Sequence, residues 1–290
     1  MQRPSLCFGV CGLILCLVAR ADDGLHVLWE LRGRHNTVFL LGSIHVLRQS
    51  DYPLPSALLQ AYAKADAVLM EVDFEQVNPQ QLQTEMLAAA ALPEGSTLSG
   101  VLGPQRYARA AALAREVGAD LSQFDRFAPW FAAEAVSELQ LTRLGFKSDA
   151  GVEMYFLGRA RADGKSVAGL ETVEDQISLF KGLPMDTQAG YLVSSLEEAQ
   201  ELPAELDSLV RAWQQGDTHW LETHLATELA DDPRLYQAIL GGRNRKWLPK
   251  IEALLDGDRN YLVIVGAGHL VGRGSVIDLL KQDGVGVTQR

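Results

Sequence analysis

The chain is poor in cysteine. It has three in 290 residues, and all of them, Cys7, Cys11 and Cys16, lie at the extreme N-terminus. The remainder therefore has no disulfide, no thiolate metal site and no cysteine nucleophile. A chain without cysteine is at ease in an oxidising compartment. Long apolar runs are equally scarce: Leu6 to Val18 is one of about a dozen residues, too short to span a bilayer. There is no basic run, and the formal net charge is −11. Such a chain makes a poor nucleic-acid ligand, so no nucleic-acid partner is expected. His-Glu-x-x-His, Gly-x-Ser-x-Gly and the Walker loop are all missing. The corresponding zinc-protease, serine-hydrolase and nucleotide-binding readings fall with them.

The first residues read as a leader. Arg3 supplies a short positive region, the apolar segment follows, and Ala19-Arg20-Ala21 fits a small-residue cleavage site. This predicts a signal peptide over residues 1–21, cleavage near Ala21 and a mature chain starting at Asp22. The product would be periplasmic or secreted, with no stable membrane insertion after cleavage. Leu15 before Cys16 is a poor context for lipid attachment. With 47% hydrophobic and 22% charged residues, the rest has the composition of an ordinary globular protein.

One short pattern occurs twice. Val38-Phe39-Leu40-Leu41 runs into Gly42-Ser43-Ile44-His45, and Leu262-Val263-Ile264-Val265 runs into Gly266-Ala267-Gly268-His269. A continuous apolar run bounded by turn residues suits a strand covered on both faces. Each histidine would sit at the C-terminal edge of the sheet, where open α/β folds bind ligands. Around these units, residues 26–32 and 37–41 read as a hairpin, with His26 and His35 on its surface. Residues 56–65 read as a helix capped by Ser56, and Ala67 to Asp73 as a buried strand. Strand, helix, strand in this order favours a parallel sheet. Lys165 to Leu170 reads as a strand, Ser275 to Gln282 as a helix and Gly284 to Thr288 as an edge strand. Between them, residues 78–145 and 172–255 read as helical. The expectation is one α/β domain over residues 22–290, with a mostly parallel central sheet and helical insertions.

Four predicted strands thus end in chemistry-bearing residues: His45, Glu71, Glu171 and His269. Two imidazoles and two carboxylates make a mixed N/O ligand set suited to zinc, manganese or iron. Such an ion would lower the pKa of bound water, and a carboxylate left over could act as general base. Glu153 reads either as a site residue or as a first-turn acid favoured by the helix dipole. Arg243-Asn244 reads either as a helix face or as a contact for a carboxylate or oxyanion. His219 and His224 are five apart, a poor helical metal pair. Gly266-Ala267-Gly268 lacks the third glycine of a dinucleotide loop.

Taken in order, these segments resemble the TraB/GumN family, which includes the Tiki and PrgY proteins. The matching stretches are Leu41-Gly42-Ser43-Ile44-His45 with Pro53-Leu54-Pro55, Met70-Glu71-Val72-Asp73, Gly151-Val152-Glu153, Gly169-Leu170-Glu171-Thr172, Gly242-Arg243-Asn244-Arg245-Lys246-Trp247 and Gly266-Ala267-Gly268-His269-Leu270. The likeness is to the exported bacterial branch. It implies a fold similar to erythromycin esterase and ChaN, and a metal-dependent protease activity. His45, Glu71, Glu171 and His269 would be the site, joined by Glu153, Arg243 and Asn244.

The resulting expectation is an exported metal-dependent hydrolase, a peptidase acting on a peptide or other small polar substrate. His45 and His269 would hold Mn, Co or Zn with Glu71 or Glu171. The remaining acid or Glu153 would act on water, and Arg243 or Asn244 would touch substrate. Two alternatives stay open: an esterase-like hydrolase with a histidine base and no metal, and a haem-, iron- or peptide-binding protein without turnover.

Overall fold

The computed structural model describes residues 24–199, 201–226 and 232–290. The expected leader lies outside the described residues. The hydrophobic runs form a six-stranded sheet in the order β4-β3-β5-β2-β1-β6. Its strands are β1 (Leu28–Arg32), β2 (Thr37–Ser43), β3 (Ala67–Val72), β4 (Ser166–Glu171), β5 (Tyr261–Gly266) and β6 (Val287–Gln289). β5 pairs in parallel with both β2 and β3, and β3 pairs in parallel with β4. β1 runs antiparallel to β2, and β6 antiparallel to β1. This is the mostly parallel α/β sheet expected from the sequence.

The two apolar runs lie side by side at the centre. Leu40, Leu41, Val263 and Ile264 are fully buried, as strands covered on both faces must be. Residues paired across β2 and β5 include Gly42 with Val265 and Ser43 with Gly266. The motifs are therefore neighbours, out of step by one residue.

Helices follow where the sequence places them, including Ser56–Lys64, Pro79–Ala90, Pro129–Arg143, Val152–Asp163 and Gly242–Leu254. Leu98–Glu116 is broken at Gly103, which has φ of 74°, so Pro104 opens its second part as a first-turn proline should. Leu98–Glu116, Pro129–Arg143 and Met185–Glu198 pack through small residues such as Ala110, Ala114, Ala132 and Ala133, forming a second core beside the sheet. Among the described residues no helix is long and apolar enough to cross a membrane.

Two local expectations need correction. Ser56 is the first residue of its helix, and Pro55 holds the cap position without a side-chain bond. His26 is buried, not on the hairpin surface: the chain end covers it, with its N–H donating to Arg290 O at 2.6 Å. Its Nδ1 lies 3.2 Å from Gln214 O.

Candidate active site

Four consecutive parallel strands deliver their ends to one edge. β4 brings Glu171, β3 brings Glu71, β5 brings Gly266 and then His269, and β2 brings Ser43 and then His45. Residues far apart in sequence meet there because parallel strands end on the same side.

His45 is the accessible member, its side chain 63% exposed. Its Nδ1 lies 2.6 Å from Glu153 Oε1, and Ser43 Oγ donates to the same oxygen. Glu153 stands in the first turn of Val152–Asp163, whose start abuts the His45 backbone. A Cβ on Gly151 would fall 2.1 Å from His45 O, so only glycine permits this approach. The Glu153 carboxylate beside it raises His45 from its ordinary value to about 9. The imidazole is thus charged at neutral pH, and Nδ1–H donates to Glu153.

His269 has the opposite setting. Its side chain is 4% exposed. Nδ1 lies 2.7 Å from Asn244 Oδ1, and Nε2 is 2.9 Å from Arg243 Nη1. Because guanidinium only donates, Nε2 accepts and Nδ1–H donates to Asn244. Burial lowers His269 to about 3. Trp247 covers the ring, with centroids 4.5 Å apart.

Arg243 is the hub. Its Nη2 donates to Glu71 Oε2 and, at 2.6 Å, to Glu171 Oε1. Nε donates to Glu171 Oε1 at 3.0 Å, and Nη1 to Ile239 O at 3.1 Å as well as to His269. Every donor direction of the fork has a protein acceptor. It reaches in from Gly242–Leu254, whose face Arg243, Trp247 and Ile251 repeats every four residues and is buried. A π-helical turn, Gln237–Gly241, precedes it.

Glu71 is buried between them. Oε1 accepts from Gly266 N–H at 2.7 Å, and Oε2 from Gln176 Nε2 at 3.2 Å. Burial works to raise this carboxyl, but His269, His45, Arg243 and the Gly266 N–H together bring it down to about 2. Glu71 Oε1 is 3.9 Å from His269 Nε2. A Cβ on Gly266 would stand 3.1 Å from His45 Nε2 and 3.4 Å from Glu71 Oε1. Both histidines therefore lie near the same carboxylate, beside Gly266.

All seven residues singled out from the sequence meet at this edge, though not equally at its surface. His45, Glu71, Glu153 and Arg243 line a cavity of about 620 Å³. Glu171 lies behind Arg243, and Trp247 Nε1 donates to its second oxygen at 3.1 Å. Asn244 is buried, with its amide N–H donating to Gly274 O at 2.9 Å. The sequence reading missed Ser43, Gln176 and Trp247. A polar residue within an otherwise apolar strand end was the signal for Ser43, and Trp247 closes the Arg-Asn motif. Gln176 has no signal in the sequence.

The donor set can be tested against a divalent ion. Both oxygens of Glu71, both of Glu171 and Nε2 of His269 are engaged, largely by the Arg243 guanidinium. A cation already lies among the acceptors the ion would need. Among the described residues, no group of three or more His, Cys, Asp or Glu side chains is arranged to hold a metal. The proposed ligand set does not fit an ion in this arrangement.

The fold and the site define an α/β protein whose parallel sheet edge gathers two histidines, three glutamates and one arginine. The TraB/PrgY/gumN family profile matches residues 27–289, and the chain belongs to that family. It is 27% identical over 268 residues to the uncharacterized protein YbaP of Escherichia coli, covering 88% of this chain and 97% of YbaP. It is 23% identical over 298 residues to the metalloprotease TIKI2 of Danio rerio, covering 85% of this chain and 57% of TIKI2. These distant relatives link the family to hydrolases. No solved structure gives a significant match, so likeness to the erythromycin esterase and ChaN folds rests on the resemblance alone.

Proposed function

We propose that this protein is an exported hydrolase that cleaves peptides at the open edge of its sheet. The observation that carries the reading is the pose of His45: Nδ1 is fixed by Glu153, and the ring lines the cavity beside Glu71. A single ring fixed on a carboxylate can pass a proton from one atom to the next. Water attacks the scissile carbonyl, and His45 Nε2–H gives a proton to the departing nitrogen as the C–N bond breaks. The ring then takes up the proton that the attacking water releases, while Glu71, held ionised at about 2, favours the ring's charged form. Arg243 adds to burial in keeping His269 neutral and to the two histidines in keeping Glu71 ionised, so it and Asn244 are positioning residues. Support for a peptide substrate comes from the likeness to the metalloprotease TIKI2 of Danio rerio, whose name is that of a protease.

The same name favours a second reading, in which a divalent ion assists. It requires Arg243 to leave Glu71 and Glu171. Mature protein incubated with a quenched fluorescent peptide library tests the first reading. Cleavage is expected in wild type and lost in His45→Ala. Cleavage that survives in His45→Ala would overturn it. Activity abolished by a chelator and restored by Mn, Co or Zn would decide for the ion. N-terminal sequencing of the exported protein should begin at Asp22; an uncleaved cytoplasmic product would reject export.

A further inference from the structure

We infer that the cavity in front of His45 takes a basic side chain, a methylene stem ending in an ammonium or guanidinium, and that Glu134 selects it. The inference rests on the hydrolase reading above and names its substrate class. The cavity walls are largely apolar: Phe74, Met154, Leu179, Phe180 and Ile239. Its anionic groups are not equally balanced. Glu71 faces Arg243, and Glu153 faces His45. Glu134 also lines the cavity, yet its neighbours are the Tyr191 hydroxyl, which donates to Oε1 at 2.5 Å, and another carboxylate, Glu138. Among the described residues no basic side chain is paired with it.

Several features mark this as a built position. Tyr191 is held in a stack, with Phe180 between it and Trp130 at centroid distances of 6.0 and 5.6 Å. That stack fixes the hydroxyl on Glu134. Burial raises the Glu134 carboxyl, the mark of an anion that lacks a counter-charge. The wall itself carries further negative charge: Glu153 Oε2 is buried and has no hydrogen-bond partner, in a residue only 5% exposed. Asp149 adds an exposed carboxylate on the wall. A long stem along apolar walls with a charged head at a carboxylate is how lysine and arginine bury themselves. An acidic side chain would meet uncompensated negative charge, and a neutral one would leave Glu134 without a counter-charge.

The experiment uses matched quenched peptides that differ at one residue beside the cleaved bond: lysine, norleucine or glutamate. The lysine peptide should exceed norleucine in kcat/KM by about tenfold to a hundredfold, the worth of a charged hydrogen bond in a partly dry site. Glu134→Gln should collapse that ratio toward unity, and Glu134→Lys should reverse the preference toward glutamate. Equal rates for lysine and norleucine in wild type would overturn the inference, as would a ratio unchanged in Glu134→Gln. Dye-labelled lysine and norleucine peptides bound to His45→Ala protein give the same ratio as dissociation constants. A preserved binding preference without any hydrolysis in wild type would reject the hydrolase reading and leave this one standing. Hydrolysis with equal binding of both peptides would do the reverse.

Discussion

The two Gly-x-x-His units share a strand, a glycine and a spacing, yet their histidines end in opposite states. His45 meets a carboxylate, faces a cavity and is held up at about 9. His269 meets an amide oxygen and a guanidinium, is sealed by Trp247 and is held down at about 3. The motif brings an imidazole to the sheet edge; what the rest of the chain packs against that imidazole decides its charge. Glu153 on one side, and burial under Trp247 with Arg243 on the other, make the difference; Glu153 and Arg243 each come from a helix far in sequence from the strand they serve.

The widest separation is expected in activity and stability together. His45→Ala should lower peptide hydrolysis by about 10²–10⁴-fold, the usual worth of a positioned proton carrier, with a smaller loss of stability than His269→Ala, because the ring is largely exposed and Ser43 Oγ still donates to Glu153. His269→Ala should lose stability as well, because it strands Arg243 Nη1 and Asn244 Oδ1 in the interior. Steady-state rates and urea titrations on the two variants decide this. Equal losses of stability would erase the distinction.

Arg243→Ala comes next. It leaves Glu71 and Glu171 buried without their counter-charge. Breaking such a buried network costs about 3–5 kcal/mol. Arg243→Lys should recover little, since a point charge cannot replace a fork that serves two carboxylates and a ring nitrogen. Urea unfolding near neutral pH reads both. A midpoint close to wild type would mean that the guanidinium is not the hub.

Acid stability sharpens the contrast further. The folded pKa of His269 lies below its ordinary 6.5, at about 3. The unfolded chain therefore takes up a proton that the folded chain refuses, and stability falls as pH drops from about 6.5 toward 3. Glu71, depressed from 4.5 to about 2, adds a loss lower still. His45 has the reverse sign: raised to about 9, its contribution is complete below 6.5 and fades as pH rises through 9. In His269→Gln the first part of the acid loss should vanish. An unchanged acid limb would count against a neutral buried His269.

How far the sequence foretold this site depends on which interaction made it. The central strands were legible because Leu40, Leu41, Val263 and Ile264 are buried on both faces and so form unbroken apolar runs. The meeting of His45 with His269 was legible because those strands are parallel and their ends share a side. The hub was not. Arg243 and Asn244 read equally as a substrate contact, since sequence spacing says nothing of acceptors supplied by β3 and β4. His26 misled for the same reason: the cover comes from Arg290, at the far end of the chain. Local pattern foretells elements, whereas the charge state of a side chain depends on partners that only the tertiary fold assembles.

The smallest effect concerns one atom. Asn244→Asp replaces the amide oxygen facing His269 Nδ1 with a carboxylate. The buried imidazole should then rise toward the behaviour of His45, because an opposite charge at hydrogen-bond distance favours the protonated ring. The shift is read by following the His269 ring protons against pH. A titration curve identical to wild type would show that Asn244 does not set the state of His269.

Nitrogen-15 NMR of the two imidazoles across pH tests the central claim most directly, because nitrogen shifts report each ring's tautomer and charge. The account predicts a doubly protonated His45 that loses its proton near 9, and a neutral, Nδ1–H His269 that gains one only near 3. Two rings titrating together near the ordinary 6.5 would contradict it.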